Sequence, residues 1–96
     1  MTTTTPAPYI NVNRNGRENN YMLLSSALVK RETDKAILIS VQAEFAHDVY
    51  NREIWLPKTQ VERVEGSIYA SVWILAQKAV GLCHGDENKA ANVFFI

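Results

Sequence analysis

Cysteine and histidine are the residue types in this chain that most often bind zinc in proteins. Cys83 and His84 are adjacent, and Asp86 and Glu87 follow them closely. A zinc site usually needs about four ligands, arranged in spaced pairs, and the other histidine, His47, is distant in sequence. The spacing therefore predicts no metal centre and no cofactor. It is typical of a polar surface segment that follows a helix.

Nucleophilic catalysis would need an activated thiol or hydroxyl beside an oriented base. His47 with Asp48 is the candidate base, and Cys83 is the candidate nucleophile. Nothing in the sequence brings these residues together, and no helix N-terminus precedes Cys83 to activate it. We therefore predict no catalytic residues and a protein that is not an enzyme.

Aromatic and basic side chains that lie close together are typical of proteins that bind single-stranded nucleic acid. Tyr50, Arg52, Trp55 and Lys58 form such a group. However, ten basic residues are balanced by ten acidic ones, which removes the strongest reason to expect binding dominated by phosphates. A tryptophan between two aliphatic residues is also more often packed on a sheet. Single-strand nucleic-acid binding is therefore the alternative function.

The segment from Gln42 to Arg52 breaks the apolar pattern of the strands around it. Eleven residues are long for a hairpin connection, and long loops in compact domains are often functional. This segment is therefore the best candidate for an interaction element, and it is either a loop that binds another protein or a packed structural insertion. One helical turn that docks Phe45 and Val49 on the core is the alternative. The candidate binding residues are Phe45, His47, Tyr50, Arg52, Trp55 and Lys58.

Two strand-like blocks must position these residues. In Lys35 to Val41 (KAILISV), both faces are largely apolar, which favours a strand that is central in a sheet or inside a small barrel. The second block is Glu53 to Val61 (EIWLPKTQV), in which Pro57 ends a strand because proline has no amide to donate. Asn15-Gly16 predicts a turn of a first hairpin, and Ser67 to Ala70 predicts a further short strand.

A helix is predicted from Ser71 to Val80. Ser71 suits the N-cap, and Gly81 suits the left-handed residue after the helix. Trp73 lies on the side opposite the apolar stripe. The stripe consists of Val72, Leu75, Ala76, Ala79 and Val80.

The apolar tail from Val93 to Ile96 carries two phenylalanines, which are unlikely to remain in water. It either adds a last strand to the sheet or docks on a partner subunit, and homo-oligomers are possible in that case. The predicted fold class is α+β and mainly β. It is a small antiparallel β barrel or bent sheet, SH3-like or OB-like, with five or six strands and one packed C-terminal helix.

Composition predicts a single domain from residue 9 to residue 96, because 47% of the residues are hydrophobic and 21% are charged. Met1 to Pro8 is predicted to be a flexible leader, since it lacks the basic start and apolar stretch of a secretory signal. No apolar run approaches the roughly 20 residues that span a membrane. With a lone cysteine, these features predict a cytoplasmic protein that has no membrane partner.

Two motifs carry a family resemblance: Lys35 to Leu38 (KAIL) and Trp55 to Gln60 (WLPKTQ). With them the chain resembles small uncharacterised proteins common in phage and prophage genomes, over about Leu28 to Glu65. Those proteins combine Lys-Ala-[Ile/Val]-Leu, a short loop and Trp-[Ile/Leu]-Pro-[Lys/Arg]-[Ser/Thr]-Gln. The chain differs from them by the longer segment Gln42 to Arg52 and by an Asn-rich N-terminal extension.

The resemblance implies a small accessory protein of a mobile element, present in the host-cell cytoplasm, and it carries over no catalytic residues. Small phage proteins without enzymatic motifs often act by blocking a host machine. The predicted function is therefore non-enzymatic binding to a host or phage protein complex, with inhibition of a defence complex such as a CRISPR effector as the expected form.

Overall fold

The computed structural model describes residues 6–14 and 16–96. This part of the chain is mainly β, with eight strands and two α-helices. The strands are β1 (Tyr9–Arg14), β2 (Arg17–Leu23), β3 (Leu28–Glu32), β4 (Ala36–Phe45), β5 (Asp48–Pro57), β6 (Val61–Val64), β7 (Ser67–Ser71) and β8 (Phe94–Phe95). The helices are α1 (Val72–Leu82) and α2 (Glu87–Ala90), and a 3₁₀ turn covers Lys58–Gln60.

The strands form two antiparallel sheets. The first sheet has the order β1-β2-β7-β6, and the second has the order β3-β4-β5. β8 also pairs with β4. It lies along the same edge of β4 as β3 does, beyond the end of β3. The predicted α+β, mainly antiparallel fold with a packed helix is confirmed. Eight strands are present rather than five or six, because β3 and the first half of β2 are exposed and show no apolar alternation.

One hydrophobic cluster joins both sheets to α1. β4 contributes Ile37, Ile39 and Val41, which are at most 1% exposed. The other main members are Ile54, Leu56, Ile68, Ala70, Ile74, Leu75 and Ala79. β4 lies between β5 on one side and β3 with β8 on the other, which confirms that the block from Lys35 to Val41 is a central strand.

The N-terminal part of the chain begins with the predicted hairpin. β1 pairs with β2 up to Arg14 opposite Arg17. Gly16 has a φ of 77°, as a tight turn requires. Asn15 and residues 1–5 of the predicted leader lie outside the described residues. Closer to β1, the carbonyl of Ala7 accepts a hydrogen bond from the Tyr69 hydroxyl at 2.6 Å.

The start of α1 follows the sequence prediction. The Ser71 hydroxyl accepts a hydrogen bond from the Ile74 amide at 3.1 Å, so Ser71 is the N-cap. The buried stripe differs from the predicted one. Ile74, Leu75 and Ala79 are buried and Val80 is half-buried, whereas Val72 is 46% exposed and Ala76 is also exposed. Ile74 thus takes the place of Val72 and Ala76 in the buried stripe. Trp73 is exposed, as its position on the opposite side predicts.

The predicted end of α1 at Val80 is wrong by two residues. Gly81 stays inside the helix, and Cys83 is the C-cap. The Gly85 amide donates to the Val80 carbonyl at 2.9 Å, and the His84 amide donates to the Gly81 carbonyl at 3.2 Å. These are the two bonds of a Schellman motif. His84 adopts the left-handed conformation that was expected of Gly81, with a φ of 55°.

The predicted loop from Gln42 to Arg52 is wrong, and so is the alternative helical turn. β4 and β5 are both ten residues long and pair without a break from Ala36 opposite Pro57 to Phe45 opposite Asp48. Only two residues connect them. Ala46 and His47 have φ values of 53° and 68°, as a type I′ turn requires. Pro57 ends β5 as predicted.

The tail forms the predicted last strand. Phe95 lies opposite Ala43 and is 7% exposed, whereas Phe94 lies opposite Glu44 and is 63% exposed. The Ile96 amide donates to the Gln42 carbonyl at 2.9 Å. The Ser26 hydroxyl donates to the Ile96 carbonyl and accepts from the Gln42 amide at 3.0 Å. Ser26 thus joins the end of the tail to β4.

Candidate protein-binding surface

The second sheet has one buried face and one exposed face. Along β4, Val41 is buried and Gln42 and Glu44 are exposed. Residues directly opposite one another in antiparallel strands lie on the same face, so the register defines the exposed face, here called the outer face. It consists of Leu28, Arg31, Leu38, Ser40, Gln42, Glu44, Val49, Asn51, Glu53, Trp55 and Phe94.

Four large apolar side chains on the outer face are exposed to solvent. Leu28 is 64% exposed, Phe94 63%, Val49 54% and Trp55 42%. They come from three different strands, β3, β5 and β8, that surround β4. Single exposed apolar residues are ordinary, but a group on one face is typical of a protein interface. Sequence analysis missed Leu28, Val49 and Phe94 as members of this group.

The charges on the outer face do not suit a nucleic acid. Glu44 lies between Phe94 and Val49 across the three strands, and Glu53 lies opposite Ser40. Both glutamates are exposed. Arg31 is the one basic residue of the outer face as defined above. With two carboxylates and one guanidinium, the outer face has a net negative charge, which disfavours a phosphate backbone. The apolar side chains are then the main feature of this face that can attract a binding partner.

Trp55 is the one predicted binding residue that lies on the outer face. It pairs with the half-buried Leu38. A tryptophan in this position offers a large, rigid apolar surface to a partner, and tryptophan is among the residues that most often dominate binding energies.

Tyr50 and Arg52 lie on the other face of β5, because strand side chains alternate. Tyr50 is 38% exposed, and the Arg52 guanidinium lies 5.2 Å from the centre of its ring. Phe45 is half-buried beside them. Lys58 is in the 3₁₀ turn, where its amine lies 3.9 Å from the Glu32 carboxylate. The four residues predicted to bind nucleic acid therefore do not form one surface.

His47 occupies the exposed turn between β4 and β5. Together with Phe45 and Phe94 it borders a shallow depression at the end of the hairpin. This depression adjoins the outer face at Phe94, so His47 is at the margin of that face rather than within it.

Cys83 and His84 lie at the end of α1 and border a cavity that Tyr50 and Arg52 also line. The structure thus places Cys83 near residues of β5, while His47 belongs to a different depression. In residues 6–14 and 16–96, no group of three His, Cys, Asp or Glu side chains is arranged to hold a metal ion.

None of the helices in the described part of the chain has the length and apolar character needed to cross a membrane. The chain was compared with protein-family models, with curated proteins and with solved structures, and no match was found in any of the three comparisons.

Proposed function

We propose that this chain is a non-enzymatic accessory protein that binds another protein through its outer face. The observation that supports the proposal most directly is the exposure of Leu28, Val49, Trp55 and Phe94 on one side of the second sheet. Burying such side chains removes apolar surface from water, which favours association, and the gain must exceed the loss of translational freedom and of side-chain mobility on binding.

The expected partner is a protein complex in the cytoplasm of a bacterial host, and the expected effect is inhibition of a defence complex such as a CRISPR effector. This part of the proposal depends on the resemblance of the KAIL and WLPKTQ motifs to phage and prophage proteins. Binding through the outer face would cause the inhibition, since it covers a surface of the partner that the partner needs for its own contacts.

The chain offers a matched pair of tryptophans for the test. Trp55 is 42% exposed on the outer face, and Trp73 is 61% exposed on α1. A partner is first captured from a bacterial lysate, identified and purified. Its affinity for the protein is then measured by isothermal titration calorimetry with the unmodified chain, with Trp55→Ala and with Trp73→Ala.

We expect Trp55→Ala to weaken binding by about 30-fold, which corresponds to the roughly 2 kcal/mol of a hot-spot residue. Trp73→Ala should leave the affinity within about twofold, the change of a residue outside the interface. Equal effects of the two substitutions would contradict the proposal. The proposal would also be contradicted if the protein bound only single-stranded nucleic acid, with an affinity that falls steeply as the salt concentration rises.

A further inference from the structure

A cavity of about 330 Å³ lies where the end of the β4–β5 hairpin meets the C-terminal end of α1 and α2. It is separate from the outer face, because Tyr50 and Arg52 point to the opposite side of β5 from Trp55. The residues that line it are Ala43, Phe45, Tyr50, Arg52, Leu82, Cys83, His84, Lys89 and Val93.

The cavity has apolar walls. Phe45 comes from the end of β4, Leu82 from the last turn of α1, and Val93 from the segment before β8. All three are half-buried, so part of each side chain is available to a ligand. Pockets that bind small molecules combine such walls with a few polar groups, and volumes of about 300 Å³ are at the small end of their range.

Arg52 and Lys89 supply the positive charge of the cavity, and its other polar side chains are Tyr50, Cys83 and His84. No carboxylate is among the lining residues, and the nearby Asp48 carboxylate accepts from the Tyr50 hydroxyl at 3.5 Å. Among the described residues, neither Arg52 nor Lys89 forms an ion pair with an acidic side chain.

The donors of Arg52 are largely free. One of its terminal nitrogens donates to the Asn51 carbonyl at 2.9 Å, and a guanidinium has five N–H donors. The central carbon of the Arg52 guanidinium lies over the Tyr50 ring, 5.2 Å from its centre, which restrains the side chain. A restrained guanidinium with unused donors suits a carboxylate, which it can bind through two parallel hydrogen bonds.

The end of α1 does not oppose an anion strongly. A helix C-terminus carries a partial negative charge on its last carbonyls. Here the carbonyls of Val80 and Gly81 already accept the two Schellman bonds from Gly85 and His84. The partial negative charge of these two carbonyls therefore points toward the amides of the turn and not toward a ligand.

We infer that this cavity is a binding site for a small carboxylate ligand with an aromatic or aliphatic body. The body packs against Phe45, Leu82 and Val93, and the carboxylate pairs with Arg52 and Lys89. Neither the outer face nor a protein partner is needed for this site.

Sodium phenylacetate is a suitable probe, and phenylacetamide is its neutral counterpart of the same shape. Each is titrated into the ¹⁵N-labelled full chain while amide chemical shifts are recorded. We expect saturable shifts at residues around the cavity, including those of Tyr50, Cys83 and Lys89. Phenylacetamide should bind about 25-fold more weakly, because it loses two charge-assisted contacts that contribute about fivefold each at a partly open site.

Variants test the two cations separately. Arg52→Gln and Lys89→Gln should each weaken phenylacetate binding by about fivefold and leave phenylacetamide binding unchanged. Lys30→Gln, which removes an exposed cation of β3 outside the cavity, should leave both unchanged. The dispersion of the amide spectrum shows that each variant is folded.

Three results would overturn the inference. The first is equal binding of phenylacetate and phenylacetamide, and the second is a set of shifts that lies away from the cavity. The third is binding of inorganic phosphate as strong as that of phenylacetate, because the apolar walls would then contribute nothing.

Discussion

At the scale of single residues, Ser71 has a role that extends beyond the helix it caps. Its side chain is 1% exposed, and its hydroxyl both accepts from the Ile74 amide and donates to the Gln60 side-chain oxygen at 2.6 Å. The capping bond follows from the sequence, because serine before an apolar helical stripe is a common N-cap. The bond to Gln60 depends on where the 3₁₀ turn is placed, which no local pattern specifies.

Ser71→Ala tests this double role. We expect the free energy of unfolding to fall by about 1–2 kcal/mol, because the helix loses its cap and the Gln60 oxygen loses its donor. Urea denaturation followed by circular dichroism measures the change. Ser25→Ala is the control, since Ser25 is exposed and its side chain makes no hydrogen bond among the described residues. Equal effects of the two substitutions would show that neither bond stabilises the fold.

At the scale of elements, the β4–β5 hairpin shows where sequence patterns fail. Its half near Pro57 has a buried face, and the alternation of Ile54 and Leu56 with exposed residues marks it as a strand. In its other half, the residues of β5 from Asp48 to Glu53 are exposed on both faces. A strand without a buried face has no apolar alternation, so the segment resembles a loop in sequence.

The turn of this hairpin gives a second prediction. Ala46 has a φ of 53°, in which an alanine side chain is strained and glycine is not. Ala46→Gly should therefore raise the free energy of unfolding by about 0.5–1 kcal/mol. The matched control is Ala76→Gly on the exposed side of α1, which should lower it by about 1 kcal/mol. Thermal denaturation of both variants is the measurement, and destabilisation by Ala46→Gly would contradict the turn geometry.

The outer face could be predicted from the sequence only in part. Trp55 is recognisable as a candidate because it lies close to Tyr50, Arg52 and Lys58 in the sequence. Leu28, Val49 and Phe94 are far apart in sequence, and they meet only through the register of β3, β5 and β8 on β4. Register depends on which faces are buried and on turn geometry. A short turn at Ala46 and His47, without Asn-Gly or Asp-Gly, gives no such signal.

At the scale of the whole molecule, the tail connects distant parts of the chain. β8 extends the edge of the second sheet beyond β3, and Ser26 connects Ile96 to Gln42. The two phenylalanines of the tail have separate roles. Phe95 belongs to the hydrophobic core, whereas Phe94 belongs to the outer face.

Substituting each phenylalanine separates stability from binding. Phe95→Ala should lower the free energy of unfolding by about 3 kcal/mol, because it leaves a cavity in the core. Phe94→Ala should change it by less than about 0.5 kcal/mol, as surface substitutions usually do. Under the proposed function, it should nevertheless weaken the partner complex. Urea denaturation measures the first quantity, and similar losses of stability in the two variants would contradict the placement of the tail.

The order of strands in the two sheets also gives an expectation for the order of events in folding. The β4–β5 hairpin joins neighbouring parts of the chain through a two-residue turn. In contrast, β2 and β7 pair although four strands, β3 to β6, separate them in sequence. Closing short loops is entropically easier than closing long ones. We expect the hairpin to form early and the β2–β7 pairing to complete the fold, so that mutations at Tyr21 or Ala70 slow folding less than they accelerate unfolding.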